Sequence, residues 1–445
     1  MENQFKTISK TLFSLINKDE VLTVSLTGEK SQFIRLNNAK IRQTGLVNDA
    51  DINLKMISNG TTCTGSFTLS GNDSFDLGRA KSEIERMRTE SSQILKDPYV
   101  TMPSKSDSSH EIKRSNGLSF ENAVDAIMPS LQGVDFVGIL SNGRMFRGNA
   151  NSLGQEHWFE TESFSLDYSL VAKNHQMVKG TFAGTDWNQN NFEQYLDQSK
   201  KKLKMMELNP VKIDTGNYKT WFEPAAVSDF INMFSWNGIS EASIQQGCSG
   251  FGRMRNENIK LSAKFSISED FSLGLVPKFN SNGEVSVERV PIISSGELKN
   301  TLVSSRTASE YGQVSNYAEP SEHLRSPSMA PGELNQNDIL NEIDRGLYLS
   351  NIHYLNWSDN PKGRITGLTR YACFWVESGE IVGPIDTMRF DDSFYNYFGD
   401  YAVEYLRYLS VEEGLNPGDI QGVPSAERMQ IENAAHNYAR EQIDG

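Results

Sequence analysis

Cysteine is scarce in this chain of 445 residues: only Cys63, Cys248 and Cys373 occur, and they form no C-x-x-C pair. So sparse and odd a set is typical of a reducing compartment, where structural disulfides do not persist. Long apolar runs are also missing, since no stretch approaches the roughly 18 residues that span a bilayer. Residues 1–18 lack the apolar segment of a signal peptide. The sequence therefore predicts a cytoplasmic protein without a membrane partner.

Basic residues are outnumbered: 43 Lys and Arg stand against 57 Asp and Glu, and the formal net charge is -14. Binding to nucleic acid depends on clustered cations that neutralise phosphates. We therefore expect no nucleic-acid partner. The hydrophobic content of 37% is too high for a disordered chain and is sufficient for a packed core.

Closely spaced histidines are absent as well. None of the six lies within five residues of another, so neither H-x-x-x-H nor H-E-x-x-H occurs. A helix that binds zinc usually presents two histidines one turn apart. The sequence therefore predicts no metal site in this chain. The histidines are His110, His157, His175, His323, His353 and His436.

Residues 1–207 are predicted to form an N-terminal domain of helices and antiparallel sheet. Apolar residues recur with period 3.6 in the helical segments and with period two in the strands. Asn59-Gly60 and Asn142-Gly143 are predicted as hairpin turns. The lysines at 200, 201, 202 and 204 are interpreted as a solvated helix face. The segments are a helix at 3–18, strands within 21–69, a helix at 74–95, a linker or loop at 98–117, a helix at 120–131, strands within 134–183 and a helix at 191–206.

Residues 208–390 are predicted to form a second, largely antiparallel β domain, and the fold class is therefore α+β. One helix is expected at 224–235, where Pro224 suits the first turn. Residues 391–445 are treated as a C-terminal extension, with a polar helix at 424–443. Strands are predicted at 211–222, 258–267, 284–292, 347–356 and 370–386.

The segment from Thr366 to Ile385 predicts one β-hairpin, with its turn at Ser378-Gly379. It resembles the C-terminal hairpin of the TldD/TldE (PmbA) family, which also goes by the name modulator of DNA gyrase. Its F-W-x-E-x-G-E-I run is more similar to the TldE (PmbA) branch than to the TldD branch. The matching positions are Thr366, Gly367, Arg370, Phe374, Trp375, Glu377, Gly379, Glu380, Ile381 and Pro384.

The resemblance implies a relation to metallopeptidases. Members of the TldD branch carry H-E-x-x-x-H at a helix start, where two histidines hold zinc and the glutamate acts as general base. At the matching helix start, Phe222 and Val227 replace the histidines and Glu223 alone remains. The TldD branch also uses a cysteine near its C-terminus, whereas no cysteine follows Cys373 here. We therefore expect no catalytic residue and no cofactor in this chain.

In this family context the chain is expected to be a TldE-like subunit that pairs with a zinc-bearing TldD-like protease subunit and contributes to the processing of small unfolded peptides. Two alternatives stay open. One is an independent metallopeptidase whose metal site includes Glu223 and distant ligands. The other is a non-enzymatic homodimer that binds peptides.

Two further groups of residues invite a functional interpretation. Asp359, Arg364, Thr366 and Arg370 either contact a peptide substrate or a partner, or form an Asx-type turn and a structural Asp–Arg pair. Cys248 and Ser249 lie in a Gly-rich segment that lacks the spacing of a nucleophile elbow, which favours a crossover loop. Cys373 is expected to be a small buried hydrophobe.

Overall fold

A computed structural model describes residues 1–399 of the chain except 106, 120 and 333. Its N-terminal part alternates helices with long strands. In chain order the elements are α1 (Glu2–Phe13), β1 (Glu20–Asn37), β2 (Lys40–Ser58), β3 (Thr61–Thr68), α2 (Asp73–Ser91), β4 (Ser109–Ile112), α3 (Ala123–Ile127) with a 3-10 turn (Met128–Leu131), β5 (Asp135–Asn151), β6 (Glu156–Val171), β7 (Met177–Gly184) and α4 (Gln189–Met205).

These strands form one seven-stranded sheet in the order β3-β2-β1-β5-β6-β4, with β7 paired to β6. All neighbours are antiparallel except β4 and β6, which run parallel. The long strands let separate helices cover the two ends of the sheet. Helices α1 and α2 pack on one end through Phe5, Ile8 and Ile84. Helices α3 and α4 pack on the other end through Ile127 and Leu196.

Two predictions for this part need correction. The 98–117 segment is not all loop, because it contains β4. Asn142-Gly143 is not a turn but lies within β5, where Gly143 is opposite Ser31 of β1. A Cβ at Gly143 would lie 2.3 Å from the carbonyl oxygen of Lys30, so the glycine permits close approach of two strands. The predicted turn at Asn59-Gly60 does join β2 to β3.

The C-terminal part is richer in short elements. In chain order they are β8 (Lys219–Phe222), α5 (Pro224–Phe234), α6 (Glu241–Gln245), α7 (Gly252–Asn256), β9 (Ile267–Asp270), β10 (Arg289–Ser294), β11 (Glu297–Leu298), α8 (Ser305–Tyr311), β12 (Pro327–Met329), α9 (Ile339–Ile343), β13 (Gly346–Asp359), β14 (Arg364–Glu377), β15 (Glu380–Pro384), β16 (Arg389–Ser393) and α10 (Phe394–Tyr397). Together with the first sheet they give the predicted α+β fold.

Two smaller sheets organise this part. One has the order β11-β10-β9-β12, and the other has the order β15-β14-β13-β8, with β16 also paired to β14. The predicted hairpin is confirmed as β14 and β15, joined at Ser378 and Gly379 with φ of 54° and 73°. Two consecutive residues with positive φ are the signature of a tight hairpin turn that matches the strand twist.

Strand β14 is buried on both faces from Ala372 to Val376. Ala372 and Phe374 belong to the same core as Phe192 and Leu196 of α4, whereas Cys373 and Trp375 pack on the opposite side. The domain boundary near residue 208 remains a prediction, and residues from both sides of it share one core.

Several predicted strands in the C-terminal part are shorter than expected. Of 211–222 only β8 is a strand, 258–267 is mainly loop before β9, and 284–292 becomes a strand only at Arg289. The first residues of the predicted 391–445 extension belong to the fold, because Phe394, Tyr395 and Phe398 are buried in the core around α5. The predicted helix at 424–443 lies outside the described residues. No helix in the described part is long and apolar enough to cross a membrane.

Candidate functional site

The start of α5 is the position at which the family resemblance expects a metal site. Strand β8 ends at Phe222, Glu223 occupies the N-cap and Pro224 opens the helix. Proline fixes φ and lacks a backbone N–H, so it suits a first helical turn. The Glu223 N–H donates to the Leu349 carbonyl oxygen at 2.9 Å, which ties the helix start to β13.

The side chains that flank Glu223 are apolar and packed. Phe222 is half-buried and meets the Phe230 ring edge to face, with centroids 5.4 Å apart. Val227 is buried in the core beneath α5. Neither side chain can donate an electron pair to a metal, whereas a zinc site takes at least three nitrogen, oxygen or sulfur ligands from the protein.

Glu223 itself forms an ion pair with Lys202 of α4, whose ammonium contacts Oε1. The pair is largely removed from water, since the side chains are 11% and 20% exposed. Charges that are desolvated need such pairing because an isolated buried carboxylate is costly. Lys202 is therefore not part of a solvated face as the sequence suggested, and it neutralises the one carboxylate left at this position.

The buried position of Lys202 was not predicted, although the spacing of buried residues along the helix indicates it. Ser199 and Met206 of the same helix face are buried, and Lys202 falls between them at spacings of three and four residues. Its neighbour Lys200 also has a structural contact, because it donates to the Ser130 carbonyl oxygen at 2.9 Å. A lysine beside an apolar stripe must either pair with a buried group or extend its ammonium to water. The sequence alone does not identify which group it pairs with.

Two other titratable groups lie near Glu223. Burial raises the pKa of the Cys373 thiol to about 12, with the charge of Glu223 adding to the effect. Burial also raises the pKa of Tyr168, whose hydroxyl pairs with Ser199 Oγ at 2.8 Å. Cys373 is 2% exposed, as expected of a small buried hydrophobe. Because a thiol must ionise to attack or to bind metal, Cys373 is suited to neither role.

Zinc does not fit the residues at this position. Within residues 1–399, gaps aside, no three His, Cys, Asp or Glu side chains lie close enough together to hold a metal ion. His157 is already engaged, with Nδ1 facing Ser109 Oγ at 2.8 Å and Nε2 facing the Gly283 carbonyl oxygen at 3.1 Å. The described residues at the start of α5 therefore do not supply the ligands that zinc requires.

The predicted contact residues on the hairpin strands lie mostly at one end. Asp359 accepts a hydrogen bond from the Lys362 N–H at 3.3 Å and pairs with the Lys362 ammonium at 2.9 Å. The bond spans three residues, whereas an Asx-type turn spans two. Arg364 pairs with Asp391 at 2.6 Å, not with Asp359. Thr366 donates to the Phe390 carbonyl oxygen at 3.2 Å.

Arg370, the fourth of these residues, is farther along β14. Its exposed guanidinium lies 4.7 Å from the ring centroid of Tyr371, which has a positive φ of 63°. Asp359 and Arg364 are opposite each other where β13 and β14 meet, and Thr366 lies two residues farther along β14, each bonded to a different residue, whereas Arg370 lies apart. A role for any of the four in binding substrate or partner stays a prediction.

The Gly-rich segment around Ser249 has the geometry of a structural loop. The Ser249 hydroxyl is buried, donates to the Gly238 carbonyl oxygen and accepts from the Phe251 N–H at 2.9 Å. The Cys248 thiol contacts the Ser243 carbonyl oxygen at 3.5 Å. Because both hydrogen bonds of the Ser249 hydroxyl are made with backbone groups, a structural loop fits this segment better than a nucleophile does.

Solved structures share this architecture. A protein from Thermotoga maritima MSB8 named as a modulator of a DNA gyrase has a TM-score of 0.71 and 16% identity, covering 89% of this chain and 93% of that one. TldE from Thermococcus kodakarensis has a TM-score of 0.68 and 18% identity, covering 90% and 92%. A further protein named as a modulator of DNA gyrase, from Bacteroides thetaiotaomicron VPI-5482, has a TM-score of 0.69 and 14% identity, covering 89% and 92%.

These identities are low, and the likeness to the three structures establishes the fold. No curated protein matches the sequence significantly. The family model of the PmbA/TldA metallopeptidase C-terminal domain matches residues 215–404, a segment that contains α5 and the β14–β15 hairpin. The hairpin motif and this match agree that residues 215–404 form a PmbA/TldA metallopeptidase C-terminal domain. The chain as a whole shares its fold with the three structures.

Proposed function

We propose that this chain is a TldE-like subunit that carries no zinc and acts in the cytoplasm with a TldD-like, zinc-bearing partner to process small unfolded peptides. The observation that carries the proposal is the start of α5. Glu223 is neutralised by Lys202, and the flanking positions hold Phe222 and Val227. Metal-assisted hydrolysis needs a bound metal to polarise the carbonyl and a free carboxylate to accept a proton. Neither requirement is met by these residues.

The proposal accounts for the state of Glu223 better than an independent metallopeptidase does. A general base must reach a water or substrate proton within hydrogen-bond distance. Here the carboxylate is 11% exposed and already contacts an ammonium from a different helix. The free cysteines at 63, 248 and 373 suit a reducing compartment.

The test begins with the chain purified alone. We expect no bound zinc by elemental analysis, with or without added zinc, and no cleavage of an unstructured fluorogenic peptide. Addition of a TldD-like zinc protein should give a stable hetero-oligomer by light scattering, with chelator-sensitive peptidase activity. About one zinc per chain with cleavage by the chain alone would overturn the proposal in favour of an independent enzyme. A self-dimer that never exchanges with the TldD-like protein would favour a separate peptide-binding role.

A matched variant sharpens this test. Lys202→Met combined with Glu223→Gln removes both charges of the pair and leaves no unpaired charge behind. We expect the activity of the hetero-oligomer to stay within about twofold of the parent, because Glu223 takes no part in the chemistry. If Glu223 were a general base, the same variant would lose activity by about 100-fold or more.

A further inference from the structure

A cleft of about 880 Å³ separates the first sheet from two C-terminal loops, 276–282 and 319–325. We call it the sheet–loop cleft. Its volume is within the range of about 300–1,000 Å³ that is usual for ligand sites. It lies apart from the start of α5, whose residues do not line it.

The floor of the cleft is the polar face of the sheet. Side chains alternate between the two faces of a strand. Leu26 and Leu54 pack beneath α1 and α2, so their neighbours along β1 and β2 face the loops. The polar floor residues are Ser25, Thr27, Asn53, Lys55, Ser66 and Arg147.

The roof loops are held by hydrogen bonds of Arg325, which is buried, and of Glu319, which is half-buried. Arg325 is 6% exposed and donates to the carbonyl oxygens of Pro277 at 3.2 Å and Phe279 at 2.8 Å. The Glu319 carboxylate accepts hydrogen bonds from Ser281, from its N–H at 3.1 Å and its hydroxyl at 2.7 Å. These hydrogen bonds join the two roof loops to each other in the absence of a ligand.

Roof and floor are also bonded to one another. Asn149 Nδ2 donates to the Ser281 carbonyl oxygen at 2.8 Å, and Lys55 Nζ donates to Asn282 Oδ1 at 2.8 Å. The His157 ring stacks on Phe279 with centroids 4.8 Å apart. A cleft that is already formed binds without the cost of ordering its own walls.

Lys55 is the distinctive charge of the cleft. Of its three N–H donors, one bonds to Asn282, and among the described residues no carboxylate lies within ion-pair distance of it. Glu284 and Glu319 act on it only over longer distance, and burial lowers the pKa of Lys55. A partly desolvated ammonium with spare donors is suited to a carboxylate, since charge-assisted hydrogen bonds are the strong ones.

Apart from Arg147, the rest of the floor offers neutral hydrogen-bonding groups. In the part of the chain that the structure describes, the side chains of Thr27, Asn53 and Ser66 have no hydrogen-bond partner. Hydroxyl and amide groups both donate and accept, as the main chain of a peptide requires. Phe279, Pro277 and Pro320 add apolar surface on the roof side.

We propose that the sheet–loop cleft binds a short extended peptide and takes a carboxylate of that peptide, terminal or side-chain, on Lys55. The choice of a peptide as ligand rests on the proposed function, whereas the carboxylate preference rests on the cleft itself. The site is contained in this chain and needs neither zinc nor a partner subunit.

Titration calorimetry on the chain alone tests the proposal with three probes: acetyl-tetraalanine as the free acid, the same peptide amidated, and an amidated peptide with one Asp. We expect the free acid, the Asp peptide or both to bind at least about tenfold more tightly than the neutral amide, a difference of about 1.4 kcal/mol. Which acid binds distinguishes a terminal from a side-chain carboxylate. Lys55→Met should abolish the preference, and Lys40→Met, which removes an exposed lysine elsewhere, should retain it.

Asn53→Trp provides a second variant for the case in which Lys55→Met fails to fold. Asn53 is exposed on the floor, so an indole there fills the cleft without removing Lys55, and all three peptides should bind at least about tenfold more weakly. Equal binding of acid and amide, no binding of any probe, or an unchanged preference in Lys55→Met would overturn the proposal. None of these outcomes bears on zinc content or on assembly with a TldD-like protein, which the earlier experiment measures.

Discussion

Removal of Lys202 should leave a buried carboxylate without its counter-charge. Breaking a buried pair by deleting one partner costs about 3–5 kcal/mol. Lys202 is one-fifth exposed, so water can reach part of the site and the cost should be lower. We expect Lys202→Met to reduce the free energy of unfolding by about 2–3 kcal/mol. Glu223→Gln should cost less, about 1 kcal/mol, because the flexible lysine stem can turn its ammonium to water.

Urea denaturation followed by tryptophan fluorescence measures these changes, and the buried Trp221 lies two residues before Glu223. The double variant Lys202→Met/Glu223→Gln should recover most of the loss, so the two single effects should not add. Lys204→Met, an exposed position on the same helix, is the matched control and should change stability by less than about 0.5 kcal/mol. The reasoning is refuted if Lys202→Met behaves like Lys204→Met, or if the double variant equals the sum of the singles.

Three other predictions concern buried or constrained positions. Burial raises the pKa of Glu269 from 4.5 to about 7, so its contribution to stability is complete below about pH 4.5 and is lost as the pH rises towards 7. Between pH 5 and pH 8 the free energy of unfolding should therefore fall by up to about 3 kcal/mol less in Glu269→Gln than in the parent, as measured by urea denaturation. The same fall in both proteins would contradict this. Iodoacetamide at pH 8 should label the partly exposed Cys248 well before Cys373, as mass spectrometry would detect, and early labelling of Cys373 would be inconsistent with its burial. Gly379→Ala should lower the free energy of unfolding by about 1 kcal/mol or more because φ is 73°, whereas Gly78→Ala inside α2 should raise it by up to about 1 kcal/mol. Thermal or urea unfolding measures the stability of both variants, and the same change in Gly379→Ala as in Gly78→Ala would argue against the turn geometry.

Much of the fold could be predicted because its signals are local. Alternation with period two marks the long strands, and Asn59-Gly60 and Ser378-Gly379 give the two hairpin turns correctly. The same kind of signal was wrong at Asn142-Gly143, since the reason for Gly143 is the backbone of Lys30 and Ser31, more than 100 residues away. A dipeptide does not distinguish a turn from a close approach between strands.

The helix start at Glu223 was predictable, but the partner of Glu223 was not. Phe222, Glu223 and Val227 could be placed at a helix start because Pro224 and the apolar stripe that follows it are local signals. The partner of Glu223 could not be found this way, because Lys202 lies on a separate helix and their contact depends on how α4 packs. The sheet–loop cleft was invisible for the same reason, since its floor and roof are about 250 residues apart in the chain, as Ser25 and Ser281 illustrate.

The placement of Ala372 and Phe374 beside Phe192 and Leu196 bears on how the chain unfolds. A fragment that ends near residue 207 would lose the strand that covers one side of α4 and would expose that apolar surface to water. Hydrogen exchange in α4 and in β14 should then report a single cooperative opening rather than two independent ones. Cleavage of the chain on either side of residue 207 would destabilise both α4 and β14, so the N-terminal and C-terminal parts would be degraded together.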